Sequence, residues 1–302
     1  MTFLQAAFTD PGIITRENHR IALQKYPYDN VLFIPGVKCT TCSFVKPARS
    51  KHCRTCGGCI ARQDHHCVWI NNCVGQGNNH YFILFLCSIA LLLTYGAYAT
   101  QHLLSQLLQA RQESANVFYS QYHSRPILGV QHWSTGLSWS DYFSLWGWAI
   151  VEDVCVGGVG LLSTLCMPMA WGFLGYHVYL MWAGMTTNES LKWADWRDDI
   201  ADGLVFMAEE GAGEVSLVST GHTERDIEPQ LTCPASKRQI LKRTPNGEPP
   251  NYSRSGDKLP YLDLKGEVAL KWHRVKSLKE VENNYDRGFW KNVESVFKPV
   301  IL

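Results

Sequence analysis

Charge is scarce in this chain of 302 residues. Asp, Glu, Lys and Arg make up 18% of it, where about 25% is usual. Two stretches carry none at all, Tyr81 to Ala110 and Val154 to Asn188. Apolar residues reach 46%, which excludes a disordered or solvating chain. An excess of base is missing too: Lys plus Arg number 28 against 27 for Asp plus Glu, so no bulk positive field exists to hold nucleic acid. The apolar start, Phe3 to Phe8, does not read as a secretory leader, lacking a basic front and a cleavage site. An even cysteine count is absent as well. Eleven cysteines, seven of them between Cys39 and Cys73, make a poor disulfide framework and point to metal chemistry in a reducing compartment.

The uncharged stretches are long enough to matter. A bilayer core takes about 20 apolar residues as helix, and Tyr81 to Tyr95 and Leu161 to Leu180 supply the centres of two such spans. Pro168 and several glycines in the second are tolerated in membrane helices. The competing reading is a pair of buried soluble helices, which would normally show a polar face. Lys46, Arg49, Lys51 and Arg54 precede the first span, and Lys192, Arg197 and a basic tail follow the second. Between them, Arg111 and Arg125 are the strong bases of the stretch Arg111 to Asp141. The bias toward base outside the spans puts the cysteine cluster and the C-terminal tail in the cytosol. The Pro- and Gly-bearing stretch 211–262 reads as a flexible linker, and 263–302 as holding a short helix.

Ten potential metal ligands crowd into Cys39 to Cys73: seven cysteines with His52, His65 and His66. Tetrahedral structural zinc takes four. Moving Cys39, Cys42, His52 and Cys59 on by fourteen positions lands on Cys53, Cys56, His66 and Cys73, so C-x2-C-x9-H-x6-C occurs twice and overlaps itself. Two interleaved Cys3His sites follow. A sequential partition, with Cys39, Cys42, Cys53 and Cys56 around one ion, stays open on spacing alone. A third repeat would need a ligand at Ile70, which has none to offer. Two candidates are then left over, His65 and Cys67, with Asp64 before them. A thiol becomes a nucleophile beside a base that a third group orients, and Asp64, His65 and Cys67 supply the three parts. Plain packing in a structural finger is the blander alternative. A DNA-reading finger would need two His three to five residues apart, whereas these are adjacent.

The motifs Cys39-x2-Cys42, Lys46-Pro47-Ala48-Arg49-Ser50-x-His52-Cys53, Asp64-His65-His66-Cys67-x-Trp69-x-Asn71-Asn72-Cys73-Val74-Gly75 and Asn78-x2-Tyr81-Phe82 together resemble the cysteine-rich domain of DHHC-type protein S-acyltransferases. Asp10-Pro11-Gly12, Thr186-Thr187-Asn188-Glu189 and Asn283-x-Tyr285-Asp286-x-Gly288-x3-Asn292-x4-Phe297 resemble three shorter motifs of that family. The resemblance implies an α-helical integral membrane protein with a cytosolic, zinc-bound cysteine-rich domain. It also implies the interleaved zinc pairing, with two structural Zn2+. The implied reaction moves a long-chain fatty acyl group, palmitoyl, from acyl-CoA to Cys67 as a thioester and then to a cysteine of a substrate protein. His65 would be the general base and Asp64 its orienting group. Lys46, Arg49 and Lys51 are expected contacts for the CoA phosphates, with membrane-surface attraction or solubility as their alternative role.

The expected layout follows. Residues 1–38 form a cytosolic segment with the Asp10-Pro11-Gly12 motif, 39–80 the zinc domain, 81–104 a span, 105–153 a non-cytosolic loop, 154–185 a span, and 186–302 a cytosolic tail. The expected partners are acyl-CoA, the bilayer and proteins with membrane-proximal cysteines, with no nucleic acid. The expected location is multi-pass in an endomembrane, ER or Golgi, or in the plasma membrane, with the site facing the cytosol. An acyl chain gains about 0.8 kcal/mol per CH2 buried among the spans. One departure stands out: the family normally has four spans, and two are expected here. A truncated, catalytically impaired member serving as a membrane-anchored zinc scaffold is the alternative reading. Cys87, Cys155 and Cys166 lie in or beside the spans and Cys233 in the linker, where small apolar or incidental roles are expected.

Overall fold

Both uncharged stretches form long helices, in which the backbone N–H and C=O groups are satisfied within the segment. The computed structural model describes residues 1–122, 143, 147–148, 150–208, 239–250 and 272–298. Among these, α1 (Thr2–Phe8), β1 (Ile13–Ile14) and α2 (His19–Lys25) lead into two hairpins. These are β2 (Lys51–Cys53) with β3 (Gly58–Ile60), and β4 (His65–Cys67) with β5 (Asn72–Val74). Then come α3 (Asn79–Tyr122), α4 (Val154–Trp182) and α5 (Thr187–Ala201). The strands β6 (Val205–Ala208), β7 (Leu241–Arg243) and β8 (Trp272–Arg274) and the helix α6 (Phe289–Phe297) follow.

The described residues divide into two units, 1–83 with 177–302, and 84–176. The second is made of the apolar bodies of α3 and α4. Asn79–Leu107 and Val154–Trp182, 29 residues each, are long and apolar enough to cross a bilayer. At about 1.5 Å per residue either exceeds the roughly 30 Å hydrocarbon core. Small residues let the two helices approach: a Cβ on Gly96 would meet Ser163, and one on Gly160 would meet Thr100. Trp171 donates its indole N–H to Thr94 Oγ1 at 2.9 Å. Helix α3 runs on through 105–122, residues expected as loop. The absence of charge marks only its apolar part, and the rest of the stretch lies largely outside the described residues.

The first unit carries the cysteine-rich hairpins. β1 and β2 flank β3 in one antiparallel sheet, and β4 pairs with β5 in another. Asp10 folds the segment ahead of them by accepting the N–H groups of Gly12 and Ile13 at 2.8 Å each. The loop then passes so close to Gly75 and Gly77 that a Cβ at either would strike the carbonyl oxygens of Pro11 and Asp10, which explains glycine at both. Asn72 and Asn78 donate to carbonyls at the end of α1 and of its C-cap, Asn72 to Ala7 and Thr9 at 3.0 Å and Asn78 to Ala6 at 3.1 Å.

A separate core forms behind the hairpins. Trp193, Trp196 and Ile200 recur at helical spacing along α5 and bury against Val205, Leu241, Val275 and Tyr285. β6 sits between β7 and β8. Residues 239–250 are therefore not all linker: Leu241 to Arg243 pair with Met207 to Val205. That ladder is a long-range contact, which local Pro and Gly content does not report. The rest of the expected linker lies largely outside the described residues. The C-terminal motif caps the end of α4, whose last carbonyls lack helical partners. Asn292 donates to Trp182 O at 3.1 Å, and Asn283 to Ala183 O at 3.0 Å.

Candidate active site

Strand alternation sorts the two adjacent histidines. Successive side chains on β4 point to opposite faces, so His66 projects one way and His65 and Cys67 the other. Across the hairpin His66 faces Cys73, and one repeat earlier His52 faces Cys59 in the same relation. The ligand atoms gather as two groups, Cys39, Cys42, His52, Cys59 and Cys53, Cys56, His66, Cys73, each within 4.8 Å. Sulfur to imidazole Nδ1 separations are 3.4 Å for Cys42–His52, 3.6 Å for Cys53–His66 and 3.7 Å for Cys73–His66. Tetrahedral zinc with ordinary Zn–S and Zn–N lengths sets its ligands about 3.6 Å apart. Three thiol donors and one imidazole suit a soft divalent ion. The backbone N–H groups of Cys42 and Cys56 donate to Cys39 and Cys53 sulfur at 3.4 Å, holding each knuckle closed. Each group can therefore hold one metal ion, and the fold brings together the interleaved sets, not the sequential one.

Cys67 and His65 belong to neither group. Cys67 is buried on β4, and His65 Nδ1–H donates to Asp64 Oδ2 at 2.6 Å. A carboxylate can only accept, so Nδ1 carries the proton and Nε2 is left as the basic nitrogen. Asp64 is itself fixed from the other side by the start of α5. Its Oδ1 accepts the Thr187 N–H at 2.7 Å, and its Oδ2 the Thr187 hydroxyl at 2.8 Å. Burial raises the carboxyl's pKa, but the bond and charge of His65 and the Thr187 N–H outweigh it, holding the pKa below its ordinary value. The positive end of α5 adds to this preference for charge. His65 also meets two rings, Phe82 at 5.3 Å and His177 at 5.9 Å between centroids.

Arg49 is set apart from the two lysines. Expected among the phosphate contacts, it is buried at 4% exposure and forks onto Glu189, Nε to Oε1 at 2.6 Å and Nη2 to Oε2 at 2.5 Å. It also donates to Gly184 O at 3.0 Å, and its guanidinium lies 4.5 Å from the Tyr285 ring. Burial works against the Arg49 charge, but Glu189 overcomes it and raises the pKa above its ordinary value. Glu189 meanwhile closes a capping box with Thr186 at the start of α5. Arg49 thus ties the metal-binding segment to α5 through Nε and Nη2. Lys51 is exposed, its ammonium donating to Asn188 Oδ1 at 3.0 Å, while Lys46 is half-buried.

Thr187 and His177 were not singled out from sequence for contact with the Asp64–His65 pair. Signals for both exist. Thr-x-x-Glu after an apolar stretch spells a capping box, and a lone histidine inside an uncharged helix is costly enough to indicate function.

Cys67 is thus a thiol outside both metal groups, on the face of a metal-binding hairpin that also carries the Asp64–His65 pair. The chain matches the DHHC palmitoyltransferase family model over residues 33–194 and belongs to that family, a family of protein S-acyltransferases. It is 43% identical over 300 residues to palmitoyltransferase swf1 of Aspergillus fumigatus, covering 98% of this chain and 74% of that protein. Palmitoyltransferase SWF1 of Neurospora crassa is 41% identical, over 98% of this chain and 65% of its own length. Palmitoyltransferase swf1 of Emericella nidulans is 40% identical, over 98% of this chain and 68% of its own. DHHC palmitoyltransferases are membrane proteins, in keeping with the two bilayer-length helices here.

Proposed function

We propose that this chain transfers a long-chain acyl group, palmitoyl, from acyl-CoA to cysteines of membrane-associated proteins through a thioester on Cys67. The observation that carries the reading is the Asp64–His65 hydrogen bond with Cys67 on the same face of β4, opposite the metal-facing His66. His65 Nε2 takes the Cys67 proton, and the thiolate attacks the acyl-CoA carbonyl. The carbon–sulfur bond to CoA breaks, and the departing CoA thiolate takes the proton back from His65. In the second step His65 deprotonates the acceptor cysteine, whose sulfur attacks the Cys67 thioester; Cys67 leaves as thiolate and is reprotonated. Asp64 keeps His65 in the required tautomer throughout.

Both metal sites are assigned to Zn2+, which fixes the hairpins and takes no part in bond making. Lys46 and Lys51 remain as contacts for the CoA phosphates. Helices α3 and α4 embed in the bilayer with the hairpins at the cytosolic face, where the acyl chain partitions among apolar helices and CoA stays in water. Labelled palmitoyl-CoA added to purified protein is expected to give hydroxylamine-sensitive label that Cys67→Ser abolishes. Label persisting in Cys67→Ser would sink the assignment.

A further inference from the structure

His65 makes one side-chain hydrogen bond among the described residues, and one bond does not fix the plane of a ring. The Asp64 carboxylate holds Nδ1 at 2.6 Å, but the imidazole still pivots about that atom. A working base has to stay within about 0.5 Å and 10–20° of its productive pose. Two further rings supply the missing contacts. Phe82 lies 5.3 Å from His65 between centroids, edge to face at 70°, and His177 lies 5.9 Å from it at 42°. Phe82 and His177 are themselves 5.2 Å apart at 75°. The three rings therefore close a triangle, each pair within the range of about 4.5–7 Å at which rings attract one another. Phe82 is 1% and His177 4% exposed, so packing leaves neither backing ring room to swing aside.

Helical spacing explains how His177 reaches this place. His177, Leu180 and Met181 stand at i, i+3 and i+4 on α4 and so share a face. All three line a small cavity with Ile83, Asp64 and Arg62. That cavity is two-sided. Asp64 and Arg62, both buried, make one wall polar, and Ile83, Leu180 and Met181 make the other apolar. An imidazole suits both walls, having an apolar body and a polar edge. This accounts for a histidine, in preference to a phenylalanine, inside an uncharged helix where a polar side chain is costly.

We infer that His177 is a positioning residue: its ring, with that of Phe82, holds the His65 imidazole so that Nε2 faces Cys67, while its polar edge serves the Asp64–Arg62 wall. The inference rests on the proposed base role of His65. Alkylation of Cys67 by iodoacetamide, in which the sulfur displaces iodide, reads that role without acyl-CoA. Site-resolved mass spectrometry of the metal-loaded full chain in detergent follows Cys67 apart from the cysteines of the metal groups. His177→Leu keeps apolar volume and loses the ring. It is expected to slow alkylation about tenfold and thioester formation about a hundredfold, the latter at unchanged KM for acyl-CoA. His177→Phe keeps the ring and is expected to retain most of both rates. Its melting temperature is expected to fall, because an apolar edge then meets Asp64 and Arg62. In a His65→Ala chain, His177→Leu is expected to add no further loss, since it acts through that ring. Where His177→Leu does not fold, His177→Gln, polar but without a ring, is read in its place with the same expectation. Parental alkylation in the variant without the ring would overturn the proposal. So would a loss in His177→Phe as deep as in that variant, or a further loss in the His65→Ala background. Palmitoyl label persisting in Cys67→Ser would remove the acyl-transfer reading and leave the alkylation comparisons standing.

Discussion

The two hairpins are copies of one unit, and only one of them keeps a spare thiol. His52 faces Cys59 across β2–β3 as His66 faces Cys73 across β4–β5. Fourteen positions separate the copies, so Asp64, His65 and Cys67 stand where the first has Ser50, Lys51 and Cys53. Cys53 lies 3.6 Å from His66 Nδ1, in the second metal group. Its counterpart Cys67 would serve a third group, but no third repeat exists and Ile70 offers no ligand. The proposed reactive position is thus the one a repeating metal motif leaves unused at its end, with Asp64 and His65 in the places of Ser50 and Lys51.

The sharpest way to break this comparison is to remove the same cysteine from each copy. Cys53→Ser is expected to lower bound metal from two ions to one and to cost the native fold, because ligand binding and folding are one free energy in such modules. Cys67→Ser is expected to keep both ions and the circular dichroism of the parent while losing all thioester label. Metal analysis by mass spectrometry beside the labelling assay separates them, and equal metal loss in both variants would remove the distinction.

Next in size is the tie between the first hairpin and α5. Arg49→Ala leaves Glu189 buried without its partner and is expected to cost about 3–5 kcal/mol, seen as a large fall in melting temperature. An Arg49→Ala chain with parental stability but a raised KM for acyl-CoA would return Arg49 to the phosphate site. This residue shows where sequence reading stops. The metal ligands were legible because their spacing repeats, and the apolar helices because charge is absent over their length. Arg49 sits in a basic, cysteine-rich stretch whose composition reads as surface. Its burial depends on Glu189, 140 residues away, a distance over which local pattern carries no information. The pairing of β7 with β6 escaped for the same reason, as did the run of α3 beyond its uncharged part.

Asp64→Asn tests the substitution that distinguishes the second copy. It is expected to slow thioester formation about a hundredfold with metal content unchanged, since the amide cannot hold His65 in the same tautomer. The carboxyl also has a sign-definite effect on stability. Its folded pKa lies below its ordinary value, so its contribution is in full above the unfolded value of about 3.9 and is lost as pH falls through the folded one. Acid unfolding of Asp64→Asn is therefore expected to be shallower than that of the parent across that window.

The smallest expected effect concerns Lys51, which occupies in the first copy the place of His65 in the second. Both copies reach the same corner of α5: Lys51 donates to Asn188 Oδ1 at 3.0 Å, and Asp64 accepts from Thr187 at 2.7 Å. An exposed ammonium contributes less than about 1 kcal/mol, so Lys51→Ala is expected to raise the KM for acyl-CoA about threefold at unchanged maximal rate, with the effect shrinking as salt screens the phosphates. A fall in maximal rate at constant KM would mean that Lys51 acts through Asn188 on Thr187 and Asp64. In that case the first hairpin would help to set the geometry of the second, and the two copies would not be independent.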